Sequence, residues 1–386
     1  MTTEPAVPIP RYGEASLADL MPSLLAALGV AGQPNPLGIE PLERVCLLLV
    51  DGLGWEQLRA HAEAAPFLSE AGGRAITAGF PATTVASLGS LGTGLPPGEH
   101  GLVGYTFAVG DLDQPMNALT WSLAGIGPDA DLETALPPGR FSPGGTLLQR
   151  AVVAGVEIVR VGPPDLDRSA LSRAVLRGGS YDNAYSLGDL AAEAAAALDV
   201  DGRRIVSAYH PGLDTTGHIR GVHSDSWRLE LANVDRLAAQ VFQRLPTGAA
   251  LVVTGDHGMV DVPEEGKVDP ADHPALIVGV RMLGGEGRAR HVYAEAGAGP
   301  DVLDAWREIV GDRMWVRSRD GAIEEGWFGP TVAAEVRPRI GDVVAAAFAP
   351  MGVFERAVDP MQAMLIGHHG SMTSAEQLVP FVEVRR

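Results

Sequence analysis

The stretch Arg44-Val45-Cys46-Leu47-Leu48-Leu49-Val50-Asp51-Gly52-Leu53-Gly54 decides the fold. After its arginine the run is apolar, partly β-branched, and stops at an acid followed by glycine. A strand covered on both faces reads as such an unbroken run, not as an alternation. A helical stretch is expected at residues 55–64. The same strand-then-polar-loop pattern returns twice. Arg204-Ile205-Val206-Ser207-Ala208-Tyr209 leads into His210-Pro211-Gly212-Leu213-Asp214, and Ala249-Ala250-Leu251-Val252-Val253-Thr254 leads into Gly255-Asp256-His257-Gly258. Helical, alanine-rich segments at 187–198 and 226–245 separate them. Strands alternating with helices predict an α/β fold with a mainly parallel central sheet and helices on both faces.

Working outward, residues 1–39 read as a lead-in with one helix at 16–28. Residues 40–264 form the expected catalytic α/β core. After Val262 the texture loosens, and residues 265–345 read as a small α+β cap insertion. Its βαβ-like section contains His291-Val292-Tyr293-Ala294, a helix at 300–310 and Met314-Trp315-Val316. Residues 346–386 are expected to return to the core.

Composition narrows the function. The chain has 386 residues, 46% apolar and 20% charged, as a globular protein with a substantial core requires. Its formal charge of −19, from 48 acidic and 29 basic side chains, argues against stable nucleic-acid binding, which needs a basic patch. Bound cations would still allow a small phosphorylated substrate. Lys267 is the only lysine and lies outside any Gly-Lys-Ser/Thr run, which excludes a Walker-type loop and disfavours a pyridoxal site. The single cysteine, Cys46, falls inside an apolar run and reads as core. With no charged-then-apolar leader pattern and no apolar run near ~20 residues, the expectation is a cytoplasmic protein without membrane association.

Three acidic positions, Asp51, Asp214 and Asp256, follow the expected strands, where ligands of open α/β sheets bind. A single aspartate there is more often a loop or cap residue. The histidines alter that balance. Asp214 and His218 are four residues apart, one face of a helix; Asp256 and His257 are adjacent; Gly367-His368-His369-Gly370 offers a further imidazole. Mixed carboxylate and imidazole donors suit zinc, with manganese the next choice. In Phe80-Pro81-Ala82-Thr83-Thr84-Val85-Ala86-Ser87, a threonine at a helix N-terminus is placed either to meet a phosphate or simply to cap the helix.

Taken together, Val50-Asp51-Gly52, the segment 80–101, Asp214-x-x-Gly-His218, Thr254-Gly255-Asp256-His257-Gly258-Met259 and His369-Gly370 resemble the alkaline phosphatase superfamily. Within it they resemble the nucleotide pyrophosphatase/phosphodiesterase branch. The resemblance implies two divalent cations, one held by Asp214, His218 and His369, the other by Asp51, Asp256 and His257 with Thr84. It implies that Thr84 is the nucleophile, with Thr83 the alternative, attacking phosphorus in line through a phosphothreonine intermediate. Ser87 stands where the branch usually carries an asparagine, three residues after the nucleophile, and is the implied substrate contact. The expected substrate is a small phosphodiester or pyrophosphate, nucleotides included. The neutral neighbourhood of Thr84 leans away from monoesters. A phosphonate hydrolase, a phosphomonoesterase and a metal-stabilised binding domain with a vestigial site are the alternatives. Tyr105 and residues 180–185 receive no role, and His100, His223, His291 and His368 read as structural or solvent-facing, with His291 in the cap near enough in principle to approach substrate.

Overall fold

The computed structural model describes residues 4–124, 132–142 and 144–386; the first three residues of the expected lead-in lie outside it. Among these residues the central sheet has seven strands, ordered Arg74–Thr77, Leu378–Arg385, Ala249–Gly255, Arg44–Val50, Arg204–His210, Glu157–Gly162 and Ser180–Asn183. The Arg44–Val50 strand pairs in parallel on both sides, with Val50 opposite His210 and Gly255. Its two neighbours therefore end level with it. The loops that carry Asp51, Asp214 and Asp256 leave the sheet side by side. The C-terminal strand runs antiparallel to Ala249–Gly255 and to Arg74–Thr77, which forms that edge of the sheet.

The sheet is covered on both faces because its strands are apolar on both. Cys46, Leu48 and Val50 join Val206, Leu251 and Val253 beneath the Leu187–Leu198 and Asp225–Arg244 helices. Val45, Leu47 and Leu49 face Leu20 and Leu24 of the Leu17–Ala27 helix and Leu91 of the Thr84–Thr93 helix. Each fully buried leucine contributes about 1.5–3 kcal/mol, so a charged residue at Leu48 would disrupt the sheet's centre. The helix expected at 55–64 stops at Ala60, where His61 leaves helical geometry at φ −118° and ψ 35°.

A second sheet holds Val280–Glu286, Ala289–Ala294, Val343–Ala347 and Met314–Ser318 in that order, every pair antiparallel. The section read as βαβ-like is thus split. Ala289–Ala294 and Met314–Ser318 are joined through the Gly299–Val310 helix, but Val343–Ala347 inserts between them. A buried ion pair fastens this sheet to the rest. Arg288 donates to both carboxylate oxygens of Glu376, at 3.0 and 2.6 Å, and Glu376 also accepts from Ser371 N–H and Thr373 Oγ1. Among the described residues, no helix is long and apolar enough to cross a membrane.

Candidate active site

Asp51 follows the central strand, and Gly52 turns the chain with φ 73°. A Cβ on Gly52 would come within 2.8 Å of Asp214 Cα, so this glycine is what lets the two acidic loops approach. The Gly52 N–H donates to Asp256 Oδ1 at 3.0 Å, which ties the third loop to the first. Asp214 and His218 lie one turn apart on the Gly212–Arg220 helix, with His218 Nε2 3.3 Å from Asp214 Oδ1. His369, beyond the Gly367–His368 strand, has Nε2 4.0 Å from the same oxygen.

The imidazoles share one orientation. Nδ1 of His218, His257 and His369 lies 2.8, 2.9 and 3.0 Å from the carbonyls of Gly367, Gly258 and Ala82 respectively. A carbonyl only accepts, so each Nδ1 carries a proton and each Nε2 is turned to the site, the usual arrangement behind a metal-ligating histidine. His368 differs: its Nε2 faces the Leu365 carbonyl, and its ring packs against Phe354. His369, not His368, is the one presented to the cleft.

Ligand atoms of Asp214, His257 and His369 lie within 4.8 Å of one another, as do those of Asp51, Asp256 and His257. His257 belongs to both groups, and His218 adjoins the first through Asp214. Asp51 Oδ1, Asp214 Oδ1 and Asp256 Oδ2 are buried without a hydrogen-bond donor. Such oxygens are costly unless a cation meets them. Burial and the neighbouring Asp51 charge push Asp214 well above the usual carboxylate range and Asp256 up to about 7. Burial also raises Asp51, but its contacts with His257 outweigh that and hold it low. His257 is drawn upward by Asp256 and Asp51 despite its burial, whereas burial and the charge of His257 lower His369. The donor set, its mutual repulsion and the orphaned oxygens all fit divalent cations.

Thr83 and Thr84 separate cleanly. Thr83 is the N-cap of the Thr84–Thr93 helix, is buried, and donates to Glu286 Oε2 at 3.0 Å. Thr84 begins the helix, is partly exposed, and holds Oγ1 3.3 Å from His257 Nε2. Ser87 needs correction as a substrate contact. It is fully buried, and its hydroxyl donates to the Asp256 carbonyl at 2.6 Å, bracing the turn that carries Asp256 and His257 instead of facing the cleft.

Two site residues escaped the sequence reading. Glu286, from the second sheet, reaches within 3.7 Å of His369 Nδ1, and burial raises its carboxyl to about 8. Gly370, at φ 123°, leaves it room, since a Cβ there would sit 2.8 Å from Glu286 Cγ. Tyr209, at the end of its strand, donates its hydroxyl to Asp51 Oδ2. Neither carries a linear signal: Glu286 lies far from every motif, and Tyr209 reads as strand. Arg74 is turned away, donating to the Leu37 carbonyl and lying over the Phe381 ring. His100 and His291 are buried and bonded to backbone, and His291 clips Val103 to Gly341 instead of approaching substrate; His223 is exposed. Tyr105 and Tyr181 line two separate cavities.

Comparison with known proteins gives a consistent picture. The family described as type I phosphodiesterase / nucleotide pyrophosphatase matches residues 45–372. No curated protein matches the chain significantly. Murine ectonucleotide pyrophosphatase/phosphodiesterase 5 superposes with a TM-score of 0.66 at 17% identity, over 89% of this chain and 88% of that one. An inactive threonine-to-alanine variant of it, in complex with AMP, superposes at 0.65 and 17% identity, over 88% and 87%. The human counterpart superposes at 0.64 with 16% identity over the same shares. The fold is thus alkaline phosphatase-like.

Proposed function

We propose that this chain, which belongs to the type I phosphodiesterase / nucleotide pyrophosphatase family and is a phosphodiesterase-type hydrolase, cleaves a small phosphodiester or pyrophosphate by attack of Thr84. The observation that carries the reading is the position of Thr84 Oγ1, partly exposed at a helix start and 3.3 Å from Nε2 of His257, the residue common to both ligand groups. The threonine-to-alanine variant of the murine relative, which is inactive, supports the same assignment.

Asp214, His218 and His369 would hold one divalent cation and Asp51, Asp256 and His257 with Thr84 the other, zinc by donor type, and when bound they supply the charge that favours an ionised hydroxyl and shields phosphoryl oxygens. Thr84 gives its hydroxyl proton to water, Oγ forms the new bond to phosphorus as the bond to the departing oxygen breaks, and that oxygen leaves with a proton returned from water. The first N–H groups of the Thr84–Thr93 helix have no intrahelical partner and would be available to phosphoryl oxygens at the helix start. A water then attacks phosphorus, the Oγ–phosphorus bond breaks, and Thr84 regains its proton. Residues 265–345 act as a cap in this scheme, supplying Glu286 to fix Thr83 and so the start of the helix. A nucleotide is the natural substrate class by family, and AMP in the murine relative supports it.

The test is hydrolysis of paired nitrophenyl phosphomonoester and phosphodiester, with zinc or manganese, by wild type and Thr84→Ala. Metal-dependent diester cleavage lost in Thr84→Ala supports the proposal. Preference for the monoester overturns the substrate class, and full activity in Thr84→Ala overturns the nucleophile.

A further inference from the structure

Lys267, the single lysine of the chain, has a side chain only 6% exposed. Its ammonium has three protons and meets three acceptors. These are the carbonyls of Ala363 and Leu365, both at 2.8 Å, and Glu264 Oε2 at 3.3 Å. A lysine taken out of water is costly unless it is paired, and two of its partners here are main-chain oxygens of one segment. That segment is the end of the Pro360–Met364 helix, of which only Ala363 is buried while Met361 and Met364 are exposed. Apolar packing therefore holds this helix weakly. The carbonyls at its C-terminus have no intrahelical partner and carry partial negative charge, which a cation satisfies. Lys267 is itself fixed, because Lys267–Val268 pairs in parallel with Gly352–Val353.

From Leu365 the chain runs directly into the candidate active site. Ile366 N–H donates to the His218 carbonyl at 2.8 Å, and its own carbonyl accepts from Val262 N–H at 2.9 Å. The Gly367 carbonyl accepts the His218 Nδ1 proton. Gly367 and His368 pair antiparallel with Asp261 and Val260, and His368 Nε2 returns to the Leu365 carbonyl at 3.2 Å. A Cβ on Gly367 would come 2.4 Å from Met259 Sδ and 2.5 Å from the Gly217 carbonyl, so the segment is pressed against the helix that carries Asp214 and His218. His369 follows at once. The orientation of His218 and the path to His369 both depend on where Leu365 is held. Asp51, Asp256 and His257 are braced by other groups: the Gly52 N–H, the Ser87 hydroxyl and the Gly258 carbonyl.

We infer that Lys267 is a positioning residue for the cation site of Asp214, His218 and His369, and that it does not act on the site of Asp51, Asp256 and His257. The inference rests on the reading of these residues as cation ligands. It adds to that reading a side chain that tunes one site from a distance. With an apolar end in place of the ammonium, the Ala363 and Leu365 carbonyls lose their donor, the segment leaves its place beside His218, and the Gly367 carbonyl no longer fixes the ring. Groups that orient a ligand from behind govern metal affinity in this way.

The experiment is calorimetric titration of the chelator-treated full chain with zinc. Wild type should show two sites. Lys267→Met should weaken one of them about tenfold or more, the scale on which partners behind a ligand act, and leave the other within about twofold. Double variants identify the site. In Asp51→Asn, which keeps the Asp214 group, adding Lys267→Met should weaken the remaining ion by the same factor. In His369→Ala, which keeps the Asp51 group, it should change nothing. A general loss of structure would instead weaken both sites. Before any metal is added, exchange of the Ile366 amide should quicken in Lys267→Met. Lys267→Gln, which keeps a donor without the charge, is the second variant should the first fail to fold, with the loss expected in the same site. Equal affinities in wild type and variant, or both sites weakened alike, overturn the inference and leave the cation reading standing. A wild type that takes up no zinc overturns both.

Discussion

The imidazoles of His257 and His369 lie face to face, ring centroids 3.6 Å apart and planes 17° apart. One ring follows the Ala249–Gly255 strand and the other follows the Gly367–His368 strand. Their Nδ1 atoms are fixed by the Gly258 and Ala82 carbonyls, so the stack holds both Nε2 atoms towards the carboxylates. Two like rings pressed together beside the carboxyl groups of Asp51, Asp214, Asp256 and Glu286 form an arrangement that a bound cation would stabilise.

Metal binding is accordingly expected to raise stability. Calorimetric titration of chelated protein with zinc should give two ions per chain, and Asp51→Asn and His369→Ala should each remove one. At a free-metal concentration 100-fold above the dissociation constant, unfolding should become harder by about 2.7 kcal/mol. Unchanged stoichiometry in both variants would exclude the ligand groups described here.

Ser87→Ala should act on stability, not on substrate affinity. Removing the hydroxyl leaves the Asp256 carbonyl without its donor, at a cost of about 1–3 kcal/mol. Urea unfolding should show that loss with KM for a diester little changed. A KM raised tenfold at unchanged stability would return Ser87 to the substrate.

Arg288 and Glu376 form the buried pair that joins the second sheet to the loop carrying His369. Arg288→Met should destabilise by about 3–5 kcal/mol, since it strands the Glu376 carboxylate. The double variant Arg288→Met/Glu376→Met should recover part of that, because neither charge is then left unpaired. Denaturant melts of the single and double variants measure the coupling.

His291 carries an acid sensitivity of predictable sign. Burial lowers its pKa to about 4, against an ordinary value of 6.5, and its ring is held between the Val103 carbonyl and the Gly341 N–H. With the folded value depressed, the unfolded chain binds the proton first. The neutral ring's contribution is whole above pH 6.5 and is lost as pH falls towards 4. The loss over that window is on the order of 3 kcal/mol. His291→Gln should weaken the fall in stability between these pH values, and an identical pH profile would show that the ring is not held neutral.

The second sheet illustrates how far a linear pattern reaches. Its strands and helix are legible as an apolar run in His291-Val292-Tyr293-Ala294 and as amphipathic spacing over the Gly299–Val310 helix. The insertion of Val343–Ala347 between two of its strands is not, because strand order is decided by which edges meet after the chain has turned. Glu286 enters the site by the same route, as an isolated acid 203 residues from the Thr83 hydroxyl it accepts.

The short, β-branched apolar runs, each closed by a polar glycine-bearing loop and separated by helical stretches, carried the parallel sheet in the sequence itself. The acids and histidines just beyond those runs marked the cleft, since residues at the ends of adjacent parallel strands emerge together. Only tertiary structure shows how neighbouring residues are turned. It exposes Thr84 while burying Thr83, turns His369 but not His368 towards the cleft, as the resemblance implied for both, and turns Ser87 inward against expectation, because adjacent residues in a turn or helix point in different directions and only packing settles which direction faces the site.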